Sequence, residues 1–142
     1  MKIIGRGSAQ WQGGLKDGKG AISTQSGALK DYPYGFASRF EGKVGTSPEE
    51  LIAGAHAGCF TMALSLILGE AGLVAEHMET SAKVTLEQVE DGFAITAVHL
   101  MLKAKIPGAD QATFEKLTNM AKVGCPVSKL LKADITLEAT LA

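Results

Sequence analysis

Hydrophobic and polar positions fall into two contrasting patterns along this chain. Near the C-terminal end, Ile135, Leu137, Ala139 and Leu141 alternate with Thr136, Glu138 and Thr140, the period of a half-buried strand. Residues 51–68 do not alternate: eighteen consecutive residues carry no formal charge. That length approaches a membrane span. However, His56, Thr61 and Ser65 interrupt the run, and Glu49, Glu50 and Glu70 bound it where Lys or Arg would be expected. It therefore reads as a buried central helix over 47–71. Ser47 is the N-cap, Pro48 the first helical residue, Glu50 the capping-box glutamate and Gly72 the stop. A helix apolar all round must be covered on all sides, and a chain this short can need a second subunit to do it.

The remaining pattern fills in around that helix. Residues 3–12 and 19–25 are β-prone and flank Lys16-Asp17-Gly18, which predicts a hairpin. Residues 27–35, with Gly27, Pro33 and Gly35, read as a loop, and residues 36–40 as a short strand. Residues 78–88 and 93–106 read as two long strands around Glu90-Asp91-Gly92. Asp110 caps a helix over 111–123 with Phe114, Leu117 and Ala121 on one face; Gly124-Cys125-Pro126 breaks it and opens a short helix to about Lys132. Trp11, Phe36, Phe40, Phe60, Phe93 and Phe114 are most simply core. The order ββ(β)αββααβ with hairpin links predicts an α+β fold of antiparallel sheets wrapped around a long buried central helix.

Composition narrows the function classes. A chain of 142 residues is one ordinary domain, expected to span 1–142, and needs no metal or disulfide staples. Fourteen Lys and Arg against fifteen Asp and Glu leave a net charge of −1, which excludes a strong general pull on nucleic acid or an anionic membrane. The first residues lack the apolar run of a signal peptide, and two cysteines are too few for a disulfide-rich secreted domain. The expected setting is cytoplasmic, with both thiols reduced.

Those two cysteines are the leading chemical candidates. Cys59 sits mid-helix; the plain alternative is an inert core thiol, because an apolar setting raises a thiol's pKa. A reactive Cys59 needs a cation, and the chain has only two arginines, Arg6 and Arg39. Arg39 is a solvated strand charge or a guanidinium held beside the thiol, a role it suits by staying charged when partly buried. Glu49 complements the helix dipole or pairs with an arginine. It lies about 15 Å of helix from Cys59, too far to act on it directly. Cys125 precedes Pro126; it is a plain cysteine in a tight helix break, or it takes the N-cap of the short helix, where a thiolate is favoured. His56, three residues before Cys59, is a core or interface histidine, a general base, or half of a His-x-x-Cys metal site. His77 and His99 read as strand-surface residues, and Lys116, Lys122, Lys129 and Lys132 as a solvated face. No glycine-rich phosphate loop fits. The residues by themselves thus leave an α+β domain with a possible redox cysteine pair.

The segments Arg39-Phe40-Glu41-Gly42, Gly45-Thr46-Ser47-Pro48-Glu49-Glu50-Leu51-Ile52, Ala55-His56-Ala57-Gly58-Cys59-Phe60 and Gly124-Cys125-Pro126-Val127-Ser128 closely resemble the osmotically inducible protein C (OsmC) family. The resemblance covers essentially the whole chain and is nearer to the OsmC branch than to the organic hydroperoxide resistance branch. It implies a thiol-dependent peroxidase for organic hydroperoxides, working as an intertwined homodimer with active sites at the subunit interface. It also implies no bound cofactor or metal, and recycling by a lipoyl-type dithiol. Position by position, Cys59 matches the peroxidatic cysteine, Cys125 the resolving cysteine and Glu49 the family glutamate. Arg39 matches the arginine of the OsmC branch, which can reach the site from the partner subunit. Ser47 stands where Asn is usual; both cap helices well. The competing readings are a hot-dog-type thioesterase and a noncatalytic module for apolar ligands.

Overall fold

The Lys16-Asp17-Gly18 signal is realised as a hairpin: β1 (Gly7–Gln12) pairs antiparallel with β2 (Lys19–Thr24), from Gly7 opposite Thr24 to Gln12 opposite Lys19. The structure, a computed structural model, describes residues 1–142 and divides into two compact units, Met1–Leu51 and Ile52–Ala142. The hairpin belongs to the first. β3 (Tyr32–Tyr34) joins β2 antiparallel and completes a three-stranded sheet. This short strand lies inside the expected loop; Pro33 is accommodated because β3 is an edge strand, where a missing N–H costs no ladder bond. A side chain on Gly20 would collide with the Tyr34 and Trp11 rings, whose centroids sit 5.6 Å apart edge to face.

Residues 36–40 are a helical turn, α1 (Phe36–Phe40), where a strand was expected. The reason is local. Ser38 Oγ accepts from the Gly35 N–H at 2.9 Å and donates to the Thr46 carbonyl at 2.8 Å, bonds that a pleated strand does not permit. The turn also brings Phe36 and Phe40 together, four residues apart, with ring centroids at 5.0 Å. Gly45 packs so tightly on Ser38 that a Cβ there would lie 2.9 Å from the serine Cβ, and its φ of +132° is one that side-chain-bearing residues avoid.

Helix α2 (Pro48–Glu70) begins in the first unit and continues through the second. Ser47 Oγ accepts from the Glu50 N–H at 3.1 Å, the expected cap. The Glu50 carboxylate instead accepts from Thr46 Oγ1 at 2.6 Å, so the capping box is not the contact it makes. Gly72, at φ +74°, ends the helix. Within the chain, α2 is not buried on all sides. His56, Phe60, Leu64 and Leu68 form one buried stripe, while Met62 and Leu66 are 79% and 65% exposed on the other side. The apolar run is thus covered along one face by its own chain.

The second unit is a three-stranded sheet with two helices and most of α2. β4 (His77–Val89) and β5 (Gly92–Lys105) form a long antiparallel hairpin around Glu90-Asp91, with a bulge at Thr85/Leu86. The chain then runs through α3 (Gln111–Gly124) and α4 (Pro126–Leu130) to β6 (Asp134–Leu141). β6 pairs with β5 in parallel, which corrects the expectation of antiparallel sheets throughout. Two intervening helices make a crossover, and a crossover returns the chain to the end of the sheet where β5 began. Asp110 caps α3 as expected, accepting from the Thr113 N–H at 2.7 Å. The core joins Phe60, Leu64 and Leu68 of α2 with Val98, Leu100 and Leu102 of β5 and Phe114, Leu117 and Ala121 of α3. Each fully buried apolar side chain contributes about 1.5–3 kcal/mol. Phe60 and Phe114 are core as expected, but Trp11 and Phe40 are 40% exposed and Phe93 is 58% exposed, so these three are not.

Candidate active site

Cys125 is held by two helices at once. Pro126 disfavours helical geometry at the residue before it, so α3 must end there. Cys125 takes φ −57° and ψ +127°, its N–H still donating to the Ala121 carbonyl while its own carbonyl accepts from the Lys129 N–H of α4. It thereby occupies the N-cap of α4 predicted from the sequence, although its side chain makes no capping bond. The thiol is fully buried.

Cys59 projects from α2 against this junction. The two cysteines are free thiols in hydrogen-bond contact, with sulfurs 2.8 Å apart. A disulfide needs about 2.05 Å, so closure asks for a movement of less than about 1 Å at the sulfurs. The electrostatics oppose a resting thiolate. Burial pushes the Cys59 thiol up, the contact with Cys125 adds to the rise, and only the Val127 backbone N–H at the start of α4 pulls the other way. Burial, Cys125 and the Val127 amide are what shift Cys59, and none of them supplies the positive charge that favours a nucleophilic thiolate.

His56 lies one turn before Cys59 on α2 and is fully buried. Its Nε2 meets Ser128 Oγ at 2.7 Å, and its Nδ1 is buried without a hydrogen-bond partner. Burial holds the imidazole below its ordinary pKa. A doubly protonated ring would need two acceptors here and has one, which favours the neutral ring. This is a satisfied core histidine on one edge, not a base paired with Cys59. No group of three or more His, Cys, Asp and Glu side chains is gathered closely enough to hold a metal ion. His77 is exposed at the start of β4, and the partly exposed His99 contacts Thr136 Oγ1 at 2.6 Å on the sheet surface.

In the first unit, Arg39 and Glu49 form a bidentate pair. Arg39 Nε donates to Oε1 at 2.9 Å and Nη2 to Oε2 at 3.0 Å. Glu49 is nearly buried, its side chain 11% exposed, whereas that of Arg39 is 36% exposed. Two parallel bonds fix the plane of the guanidinium as well as its position. The helical turn α1 makes this possible and adds the Phe40 ring, 5.4 Å from the guanidinium carbon. Beside the arginine is a cavity of about 180 Å³ lined by Trp11, Leu15, Tyr34, Gly35, Phe36, Arg39 and Phe40. Its walls are apolar and aromatic apart from that one cation.

The sequence reasoning singled out Cys59, Cys125, Arg39 and Glu49, and the structure brings them together as two pairs: sulfur with sulfur, guanidinium with carboxylate. It overlooked Ser128 and the Val127 amide. The available signal was spacing, since Ser128 follows Cys125 by the same three residues that separate His56 from Cys59.

Comparison with known proteins identifies the family. The family model for OsmC-like proteins matches residues 40–140. The chain is 53% identical over 141 residues to a protein of Escherichia coli (strain K12) called peroxiredoxin OsmC, with 99% of both chains covered. It is 30% identical over 99 residues to an organic hydroperoxide resistance protein of Xanthomonas axonopodis pv. citri (strain 306), covering 69% of this chain and 68% of that one. Among solved structures, the organic hydroperoxide resistance protein OhrB of Bacillus subtilis superposes with a TM-score of 0.68 at 26% identity, covering 96% of this chain and 98% of that one. Its α+β architecture, its cysteine-bearing helix break and these similarities place the chain in the family of OsmC-like proteins.

Proposed function

We propose that this protein is a thiol-dependent peroxidase that reduces organic hydroperoxides to alcohols. The observation that carries the proposal is the pair of free thiols, 66 residues apart in sequence and in contact in the fold. The names of the relatives, a peroxiredoxin and an organic hydroperoxide resistance protein, support the same chemistry.

The cycle has three steps. The Cys59 thiolate attacks the distal peroxide oxygen; the O–O bond breaks, the alkoxide takes a proton and leaves as the alcohol, and Cys59 becomes a sulfenic acid. Cys125 then attacks the Cys59 sulfur, the S–O bond breaks, a disulfide forms, and the oxygen leaves as water with the thiol proton. A dithiol of the lipoyl type returns two electrons by thiol–disulfide exchange and is itself oxidised. In the assembled enzyme Arg39, oriented by Glu49, supplies the positive charge that favours the thiolate and the departing alkoxide. The apolar cavity beside Arg39 supports a preference for alkyl or lipid hydroperoxides over hydrogen peroxide. The exposed Met62 and Leu66 on α2 support a homodimer that covers this face. We place the protein in a cytoplasmic, reducing setting, where such a dithiol is kept reduced.

The test is to count free thiols before and after adding about one equivalent of tert-butyl hydroperoxide per subunit to the reduced protein, with intact mass to identify the product. Loss of both thiols with loss of two hydrogens is the expected result, and Cys125→Ser should trap an oxidised Cys59. Survival of both thiols in excess hydroperoxide would refute the peroxidase and turn attention to apolar-ligand binding.

A further inference from the structure

We propose that the His56–Ser128 hydrogen bond is a positioning clamp that holds α4 against α2, so that Cys125 is presented to Cys59 for disulfide closure. The inference rests on the peroxidase reading and concerns its resolving step; neither His56 nor Ser128 touches substrate.

The geometry is one of paired cross-links. Cys59 meets Cys125 at 2.8 Å, and one turn away His56 Nε2 meets Ser128 Oγ at 2.7 Å. His56 precedes Cys59 by three residues and Ser128 follows Cys125 by three, so the two contacts lie roughly 4.5 Å apart along each helix. They join the same two elements.

The clamp has something to hold. α4 has five residues, no side-chain cap and no fully buried residue. A helix this short has no stability of its own and takes its orientation from tertiary contacts. The chemistry makes that orientation matter. A sulfenic acid places an oxygen on Cys59, and Cys125 must then approach the sulfur to expel it. Until the disulfide closes, a second hydroperoxide competes, delivering another oxygen to give the sulfinic acid and a second alcohol. Drift of α4 would slow closure and leave that competing step more time.

The clamp also accounts for an otherwise costly choice. His56 is fully buried, with one ring nitrogen lacking a partner. An apolar residue in that stripe, like Phe60 or Leu64, would avoid the penalty for an unpaired polar atom. What the histidine adds is its reach across to Ser128.

Two variants of Ser128 isolate the hydrogen bond. Ser128→Thr and Ser128→Val have nearly the same shape, and only the first keeps the hydroxyl. Both are compared with the parent protein, after circular dichroism shows that each folds. The first readout is the equilibrium between dithiol and disulfide in a glutathione redox buffer, which needs no hydroperoxide. The second is the fraction of Cys59 driven to the sulfinic acid by excess tert-butyl hydroperoxide. One hydrogen bond corresponds to about tenfold. Ser128→Val should therefore lower the effective concentration of Cys125 toward Cys59 by about tenfold and raise the sulfinic fraction, while Ser128→Thr stays near the parent. Equal behaviour of Thr and Val in the redox buffer would overturn the clamp, even if the peroxidase cycle is intact. Thiols inert to hydroperoxide would refute the peroxidase, and the redox-buffer comparison would still decide whether Ser128 positions Cys125.

Discussion

Replacing Glu49 with glutamine tests whether the fixed guanidinium matters. Glu49→Gln keeps the side-chain shape but removes the charge and one acceptor. Of two bonds between ionised partners at 2.9 and 3.0 Å, at most one survives, from the guanidinium to a neutral acceptor. Hydrogen bonds to charged groups contribute about 1.5–3 kcal/mol each. Arg39 is more than a third exposed, so water screens the pair and the low end applies. The loss of orientation is then about 1–2 kcal/mol. If that orientation is spent on the thiolate and departing alkoxide, the second-order rate constant with tert-butyl hydroperoxide should fall by about tenfold, since about 1.4 kcal/mol is one decade. The pH profile of Cys59 alkylation by iodoacetamide should move upward at the same time. Stopped-flow measurement of thiol loss gives the first quantity, and mass-resolved alkylation over a pH series gives the second. A Glu49→Gln protein that reacts at the parental rate with an unmoved alkylation profile would refute the reasoning, because the charge acting on Cys59 would then not depend on the Arg39–Glu49 pair.

Other consequences follow from the rest of the structure. Phe60 is fully buried in the core, and Phe60→Ala should lower stability by about 3–5 kcal/mol in urea titrations. His56 has a folded-state pKa below its unfolded value, so as pH falls below about 6.5 the unfolded chain binds the proton first and stability drops. His56→Leu should flatten that part of the acid limb of the stability profile, whatever it does to stability near neutrality. Leu66, 65% exposed on the uncovered side of α2, is buried if a second copy packs there. Leu66→Glu should then shift sedimentation from dimer to monomer with its helical circular dichroism retained; an unshifted dimer would place the interface elsewhere.

The central helix shows how local signals become legible. Ser47, Pro48 and Gly72 mark its ends by cap and backbone chemistry within a few residues, and the structure uses all three. The alternation of residues 135–141 and the Asp110 cap were equally local, and both appear. The misreadings have a common cause. The helical turn over residues 36–40 depends on Ser38 reaching Thr46, eight residues away. The parallel direction of β6 depends on where two helices return the chain. The exposure of Trp11, Phe40 and Phe93 depends on which surfaces meet.

The site divides the same way. The sequence alone determined which groups are the candidates for chemistry: two thiols, one of them forced into a helix break by the proline after it, one arginine flanked by aromatics, and a glutamate at a helix start. These are properties of residue types and near neighbours. Tertiary structure decided which of them touch. The 2.8 Å between Cys59 and Cys125, the two bonds from Arg39 to Glu49 and the His56–Ser128 contact join residues 66, 10 and 72 positions apart. Such contacts depend on how helices and sheet pack, because loop closure costs little extra for each added residue and so leaves the choice of distant partner to the core.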